Sequence, residues 1–361
     1  MIQYRYSVVV DIGHDPTTGK RRQKWIAVKG NKRDAERKRT EILRELDQGV
    51  FVEPSRLTLS GYLDKWMRDY VATAVRPSTA RGYATIVRRI QKGSLARIRL
   101  TALKPMQVQS YYSDLLEEGL SPQTVHHHHA LLHGAIGRAQ KWDMLSKNVI
   151  DKVTSPKVWR PELRILTGDE VQQLLQHVKG TDYYLPIHLA LYTGLRRSEI
   201  CGLYWDDLNP EGNSLRVVRT MVSITGDPAH IGEPKSQRSR RVVAFGPETT
   251  ELLRDCGAVA GEHGSLVRSQ VCARKDGSII LPDVLTRTFN KILKSCGITG
   301  VRFHDLRHTH ATVLLTSGVP VHVVSARLGH ASIQTTVDIY GHVIPASGME
   351  AGMMIEKKLK S

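Results

Sequence analysis

The stretch HDLRHTHATVLL, residues 304–315, places three histidines, an arginine and an aspartate between His304 and His310. Such a density of titratable groups suits a metal site, a proton-transfer site or a phosphate grip. Reading it as a helix separates these. With about 100° of rotation per residue and His304 at zero, Arg307 falls at about 300° and His308 at about 40°, so the three share a face. His310 falls at about 240°, beside Leu306 at about 200° and Leu314 at about 280°, on the side that packs. Three histidines that do not converge make poor tetrahedral ligands. No HExxH pattern or carboxylate pair accompanies them, so no metal site is expected. What remains is an imidazole beside a guanidinium. Arginine forks onto phosphate oxygens and histidine moves protons near neutral pH, which together suit phosphoryl transfer.

Three other stretches supply complementary groups. LYTGLRRSEICGL puts Arg196 and Glu199 three apart, where a helix starts after a Thr-Gly turn. Helix amides with a guanidinium can hold an anion, and Glu199 can orient Arg196. On its own, a pair at this spacing is an ordinary surface ion pair. EPKSQRSRRVVAF carries Lys235 in a turn-like stretch before a strand, the only lysine between Lys179 and Lys275. A lysine so placed can protonate a departing hydroxyl. The segment Thr225–Pro234 makes that loop long for a tight hairpin, and Arg238, Arg240 or Arg241 are alternative DNA contacts there. RLGHASIQTTVDIYGHV sets His330 ten residues before Tyr340. Tyrosine becomes a covalent nucleophile when its phosphate target is activated, although a lone tyrosine is ordinarily a packed ring.

Outward from these motifs the chain reads as three domains. Residues 1–55 form a small α+β module. YRYSVVVDI alternates as a strand, DPTTG turns, and KRRQKWIAVKG returns with Lys20, Arg21, Arg22 and Lys24 at its start. NKRDAERKRTEILRELDQG is then a helix capped by Asn31 and ended by Gly49. A short basic sheet backed by one helix can lay its face in a DNA groove.

Residues 56–156 read as all helix. LTLSGYLDKWMRDYV has helical spacing, RPSTARGYATIVRRI starts at a Ser78 cap, Leu103 to Gly119 gives a third helix, and Ser121-Pro122 opens a long fourth. This segment holds 15 Lys/Arg against 7 Asp/Glu, the largest basic excess of the three. Arg81, Arg88, Arg89, Arg138 and Lys141 suit phosphate contact. The run His126 to His129 fans over about 300° and cannot converge on one ion. His127 lies with Arg138 and Lys141 as a DNA-backbone contact, and the others are helix filler. Residues 157–361 follow a proline-bearing linker. Thr167 and Glu170 form a capping box. SLRVVRTMVSI and RRVVAF read as strands, helix resumes from Pro282, and the domain is mixed and mainly α with a small antiparallel sheet.

The 361 residues carry a net charge of +17, which favours an anionic partner. Nucleic acid fits better than a membrane, because no apolar run is long enough to span a bilayer. The N-terminus lacks the features of a signal peptide. The four cysteines, Cys201, Cys256, Cys272 and Cys296, form no CxxC pair and read as free thiols, so a cytoplasmic location is expected.

Taken in order, Arg196, Lys235, His304-x-x-Arg307, His330 and Tyr340 resemble the tyrosine recombinase family, the phage-integrase-type site-specific recombinases, across residues 160–345. The resemblance implies that Tyr340 attacks a backbone phosphate to form a 3′-phosphotyrosine. It implies that Arg196 and Arg307 clamp the non-bridging oxygens, that Lys235 protonates the leaving 5′-oxygen, and that His304 assists proton transfer at the nucleophile. His330 would bond the phosphate, with Glu199 and His308 supporting. Residues 56–156 would be the core-binding domain and 1–55 an arm-type DNA-binding domain. Double-stranded DNA with core and arm-type sites, a homo-tetramer on a Holliday junction, and an excisionase or DNA-bending protein are the implied partners. Neither metal, ATP nor another cofactor is implied. The Pro345–Ser361 tail, with Met349, Met353, Met354 and Ile355, would dock on a neighbouring protomer as a short helix. The function expected is integration and excision of a phage or conjugative element. A catalytically silent DNA-binding regulator and a chromosome-dimer resolvase are the alternatives.

Overall fold

The computed structural model describes residues 5–14, 18–47, 55–159, 163–223, 227–234, 237–262, 269–341, 353, 355, 356 and 359. The chain divides into two compact units, Met1–Arg160 and Pro161–Ser361.

In the first unit, β1 (Arg5–His14) and β2 (Arg21–Lys29) pair antiparallel, with Val8 opposite Ile26 and Val10 opposite Lys24. Strand alternation sends Val8 and Val10 to one face, where Ala35 and Ile42 of α1 (Lys32–Asp47) close a small core with them. Asn31 caps α1, its side-chain oxygen accepting the Asp34 N–H at 3.0 Å while the Asp34 carboxylate accepts its own N–H. The expected end at Gly49 lies outside the described residues.

The rest of this unit is helical. α2 (Leu59–Trp66) runs through one wider turn, Met67–Val71, into α3 (Ala72–Ala74). α4 (Pro77–Lys92), α5 (Pro105–Glu117) and α6 (Pro122–Lys141) each begin on a proline, whose fixed φ and missing N–H suit a first turn. That settles the start of α4 at Pro77, with Arg76 as its cap. Ser78, the expected cap, sits inside the first turn. Ser121 does cap α6, accepting the Thr124 N–H at 3.2 Å. Leu63, Trp66, Ile90, Tyr112, Leu132 and Ile136 lie in one buried core.

The α6 histidines fan out, but three of them are not filler. His128 is buried and bonds the Tyr111 hydroxyl at 2.9 Å. His129 reaches the Tyr112 hydroxyl at 3.3 Å, and His126 reaches Ser155 at 2.9 Å. His127 is exposed and bonds Gln123 of its own helix.

The second unit opens with α7 (Gly168–Val178), whose Thr167 and Glu170 exchange capping bonds. α8 (Tyr184–Thr193) and the short α9 (Arg197–Cys201) follow. β3 (Leu208–Asn209), β4 (Ser214–Val217) and β7 (Arg241–Ala244) form an antiparallel sheet in the order β3-β4-β7. β5 (Thr220–Val222) pairs with β6 (His230–Gly232) in a separate ribbon. The stretch SLRVVRTMVSI, expected as one strand, is therefore two. Arg219 at the break turns to Asp207 at 3.0 Å and lies over the Tyr204 ring at 4.5 Å.

Among the described residues there follow α10 (Pro247–Glu262), α11 (Pro282–Ser295), α12 (Phe303–Thr316), α13 (Val321–Leu328) and α14 (Ile333–Tyr340). Leu189, Ile200, Leu215, Phe289 and Leu306 lie in the larger core. A smaller cluster of Ala311, Leu315, Val324, Leu328 and Tyr340 joins the last three helices. The protein is thus mostly helical with small antiparallel sheets. No described helix is long and apolar enough to cross a membrane. In the tail, Met353 and Ile355 are helical and exposed, while Met349 and Met354 lie outside the described residues.

Candidate active site

The site grows from the end of α8. Gly194 closes that helix with φ of +65°, and a Cβ there would stand 2.6 Å from the His310 ring. Both facts require glycine. Two residues on, Arg196 caps α9. Its N–H and its Nη1 donate to the two oxygens of Glu199, each at 2.8 Å. Glu199 is 2% exposed, so this is no surface ion pair. Burial pushes its carboxyl up, but hydrogen bonds and charge from Arg241, with Arg196, outweigh that and hold its pKa below the usual value.

α12 carries the HDLRH residues. Arg302 at its cap pairs with Asp305 at 3.0 Å, and Phe303 packs edge-on against Phe289. His304 is exposed. Arg307 is deeper than its shared face with His304 suggests, at 2% exposure. Its guanidinium donates to the carbonyls of Gly194 at 2.8 Å and Leu328 at 2.6 Å. Burial first, then the charge of Arg196, bring its pKa down to about 9, so it remains charged at neutral pH. His310 points inward. Its Nδ1 bonds the Leu191 carbonyl at 2.7 Å, and its Nε2 accepts from Arg327 at 2.9 Å.

The C-terminal end of α13 gathers the arginines. Arg241 donates to the Arg327 carbonyl at 2.6 Å, Arg307 to Leu328, and Arg196 to Gly329 at 3.1 Å. Three guanidinium groups thus end on three successive carbonyls. A helix C-terminus is the negative end of its dipole, and with the Glu199 carboxylate it offsets their mutual repulsion. Of the five N–H donors in a guanidinium, these bonds and Glu199 take two from Arg196. A third of the Arg196 side chain stays exposed, which leaves donors for a phosphate. His330, just past this turn, bonds the Thr336 hydroxyl at 2.8 Å. Burial and then the neighbouring Arg307 and Arg196 push its pKa down to about 4.

Tyr340 closes α14 with no exposed surface. Its hydroxyl meets Nδ1 of His308 at 2.7 Å. The family resemblance implies that His304 assists proton transfer at the nucleophile, whereas here His308 is the histidine in contact with the Tyr340 hydroxyl. Burial lifts the tyrosine pKa to about 12, with Arg307 pulling the other way. Burial also holds His308 below the usual histidine value, so it is neutral near pH 7. With its proton on Nε2, Nδ1 can accept the phenolic hydrogen. His304, crowded on one side and beside His308, Arg307 and Arg196, is likewise lowered.

The structure therefore brings Arg196, Glu199, His304, Arg307, His308, His330 and Tyr340 into one constellation. Lys235 lies outside the described residues. Arg241, weighed from the sequence as a DNA contact, is instead almost wholly buried, with two bonds to Glu199. The sequence offered only one signal for it: an arginine beginning an otherwise apolar strand. Arg238 bonds the Ala331 carbonyl, and Arg240 pairs with Glu233.

The expected DNA contacts of the first unit are spread over several elements. Lys20 and Lys141 are exposed. Arg21 pairs with Asp11, and the side chains of Arg22 and Lys24 lie outside what is described. Arg88 folds back on Ala84 and Thr85, Arg89 pairs with Glu118, and Arg138 lies over the Tyr70 ring at 3.9 Å. Arg81 sits half-buried on α4. No group of metal ligands occurs among the described residues.

With this geometry in hand, comparison with known proteins gives consistent matches. A family model described as the phage integrase family matches residues 164–346. A tyrosine recombinase XerC-like protein of Caldanaerobacter subterraneus is 30% identical, over 94% of this chain and 93% of its own. The ICEBs1 integrase of Bacillus subtilis is 23% identical over 94% of each. Among solved structures, the Tn1549 transposon integrase bound to transposon right end DNA superposes with a TM-score of 0.73 at 21% identity, over 84% of this chain and all of that one.

Proposed function

Because the chain belongs to the phage integrase family, we propose that it is a site-specific DNA recombinase of a mobile element, cutting and rejoining DNA through a covalent bond to Tyr340. The observation that carries this reading is the 2.7 Å contact between the Tyr340 hydroxyl and neutral His308, beside three guanidinium groups whose charges one buried carboxylate only partly offsets.

The chemistry follows from the groups. His308 takes the phenolic proton, and the Tyr340 oxygen attacks a backbone phosphorus. The bond to the 5′-oxygen breaks, leaving a 3′-phosphotyrosine and a 5′-hydroxyl. Lys235 gives the leaving oxygen its proton. Arg196 and Arg307 stabilise the charge that builds on the non-bridging oxygens, and His330 and His304 add hydrogen bonds there. Pre-aimed guanidinium groups of this kind lower the barrier because they need no reorganisation. A 5′-hydroxyl from a second duplex then attacks the phosphotyrosine and frees Tyr340. The phosphotyrosine keeps the phosphodiester energy, so the cycle needs neither metal nor ATP. Tyr340 has no exposed surface here, so attack also requires its hydroxyl to become accessible to the phosphate.

In this reading residues 1–55 bind arm-type sites, 56–156 grip the core site, and 157–361 do the chemistry. Four protomers join two duplexes through a Holliday junction, with an excisionase or DNA-bending protein setting direction, in the cytoplasm. A nicked suicide duplex tests it. Wild-type protein should form a denaturation-resistant adduct with and without EDTA, and Tyr340→Phe should form none. Adduct on Tyr340→Phe would refute the nucleophile, and loss with EDTA would refute metal independence.

A further inference from the structure

We infer that Arg241 is a positioning residue for the phosphate site, a buried strut that sets Arg196 through Glu199 and fixes the turn before His330. None of its hydrogen bonds goes to the tyrosine, and only 7% of its side chain is exposed. Its Nη1 and Nη2 donate to the two Glu199 oxygens at 3.1 and 3.0 Å. Its Nε donates to the Arg327 carbonyl at 2.6 Å and Nη1 also to the Ser239 carbonyl at 3.0 Å. The forked pair fixes the plane of the Glu199 carboxylate. That carboxylate in turn holds the Arg196 N–H and Nη1. One guanidinium on β7 therefore fixes α9 and the end of α13 against each other.

Gly329 supplies a second, independent observation. It has φ of +65°, and a Cβ there would come within 2.9 Å of Arg241 Nη1 and 3.1 Å of its Cδ. The turn leading to His330 is thus moulded on the Arg241 side chain. Lysine could not replace it, since an ammonium cannot fork onto a carboxylate while also reaching a carbonyl.

The inference rests on the recombinase reading for its consequence, so two readouts are needed. The first is single-turnover cleavage of the nicked suicide duplex. Arg241→Met should cut on the order of 10- to 100-fold more slowly, the size of loss that a small misplacement of reacting groups can cause. DNA affinity should change by about twofold or less, because only 7% of the side chain is exposed and its donors are turned to Glu199 and two carbonyls. Arg241→Lys should recover only part of the rate, and Gly329→Ala should lose rate with no polar group removed. In an Arg196→Lys background, Arg241→Met should cost clearly less than in wild type, since the route through Glu199 is already gone and only the turn before His330 is left to disturb. Equal losses in both backgrounds would mean a general folding role and would overturn the inference. The second readout is the Nε–H resonance of Arg196, assigned by its loss in Arg196→Lys. It should be immobile in wild type and motionally averaged in Arg241→Met. An unchanged resonance would overturn the strut whatever the cleavage rate. A resonance that responds while wild type forms no adduct would uphold the strut and remove the recombinase reading instead.

Discussion

The hydroxyl of Tyr340 is buried, carries a pKa near 12, and has His308 as its hydrogen-bond partner. An unaided phenol in that state would be a poor nucleophile, so the base beside it matters. We predict that His308→Ala slows adduct formation by about 10²- to 10⁴-fold, the span of a general base, while DNA binding holds. A loss under about threefold, with a larger one in His304→Ala, would move the base to His304. The wild-type rate should also hold as pH falls toward the ordinary histidine range, where an unperturbed imidazole base would already be losing activity. His308 titrates below the ordinary histidine value, so protonation costs its acceptor only on the acid side. Helical arithmetic placed His310 inside and His304 outside. It could not show that Arg307 would sink onto two carbonyls, or that His308 would be the one to meet Tyr340. Both depend on where α13 and α14 pack, and the sequence of α12 does not encode that.

Among elements, capping and proline signals mostly read well, because they act within a few residues, although Pro77 moves the start of α4 ahead of the Ser78 cap. Asn31, Ser121 and the Thr167–Glu170 pair cap their helices through local bonds. The misses arose where a distant partner decided. SLRVVRTMVSI splits because Arg219 finds Asp207, and the His126–His129 run anchors α6 because Tyr111, Tyr112 and Ser155 come to meet it. His128→Ala should therefore leave the buried Tyr111 hydroxyl without its partner. The expected cost is about 1–3 kcal/mol, read as faster hydrogen exchange of α5 and α6 amides in the full chain. Unchanged exchange would make the His128 bond dispensable.

At the scale of the whole molecule, Arg196, His304, Arg307, His330 and Tyr340 could be picked out from the sequence because each sits in a short stretch that is readable locally. The charge network beneath them could not. Glu199 and Arg241 lie 42 positions apart, and only the fold joins them. The buried histidines give a global prediction. Burial holds His128, His188 and His310 neutral, with pKa values near 4. The unfolded chain protonates them near 6.5, so between there and pH 4 the unfolded state binds more protons. Stability should fall as pH drops through that window, by at most about 1.4 kcal/mol per pH unit for each such histidine. Flat unfolding midpoints from pH 7 to 4.5 would contradict this.

The central claim is the covalent role of Tyr340. Trapping wild-type protein on the nicked duplex, digesting the complex and sequencing the DNA-linked peptide by mass spectrometry tests it most directly. The account predicts a 3′-phosphate ester on Tyr340 and a free 5′-hydroxyl on the released strand. A link through any other residue, or through a 5′-phosphate, would contradict it.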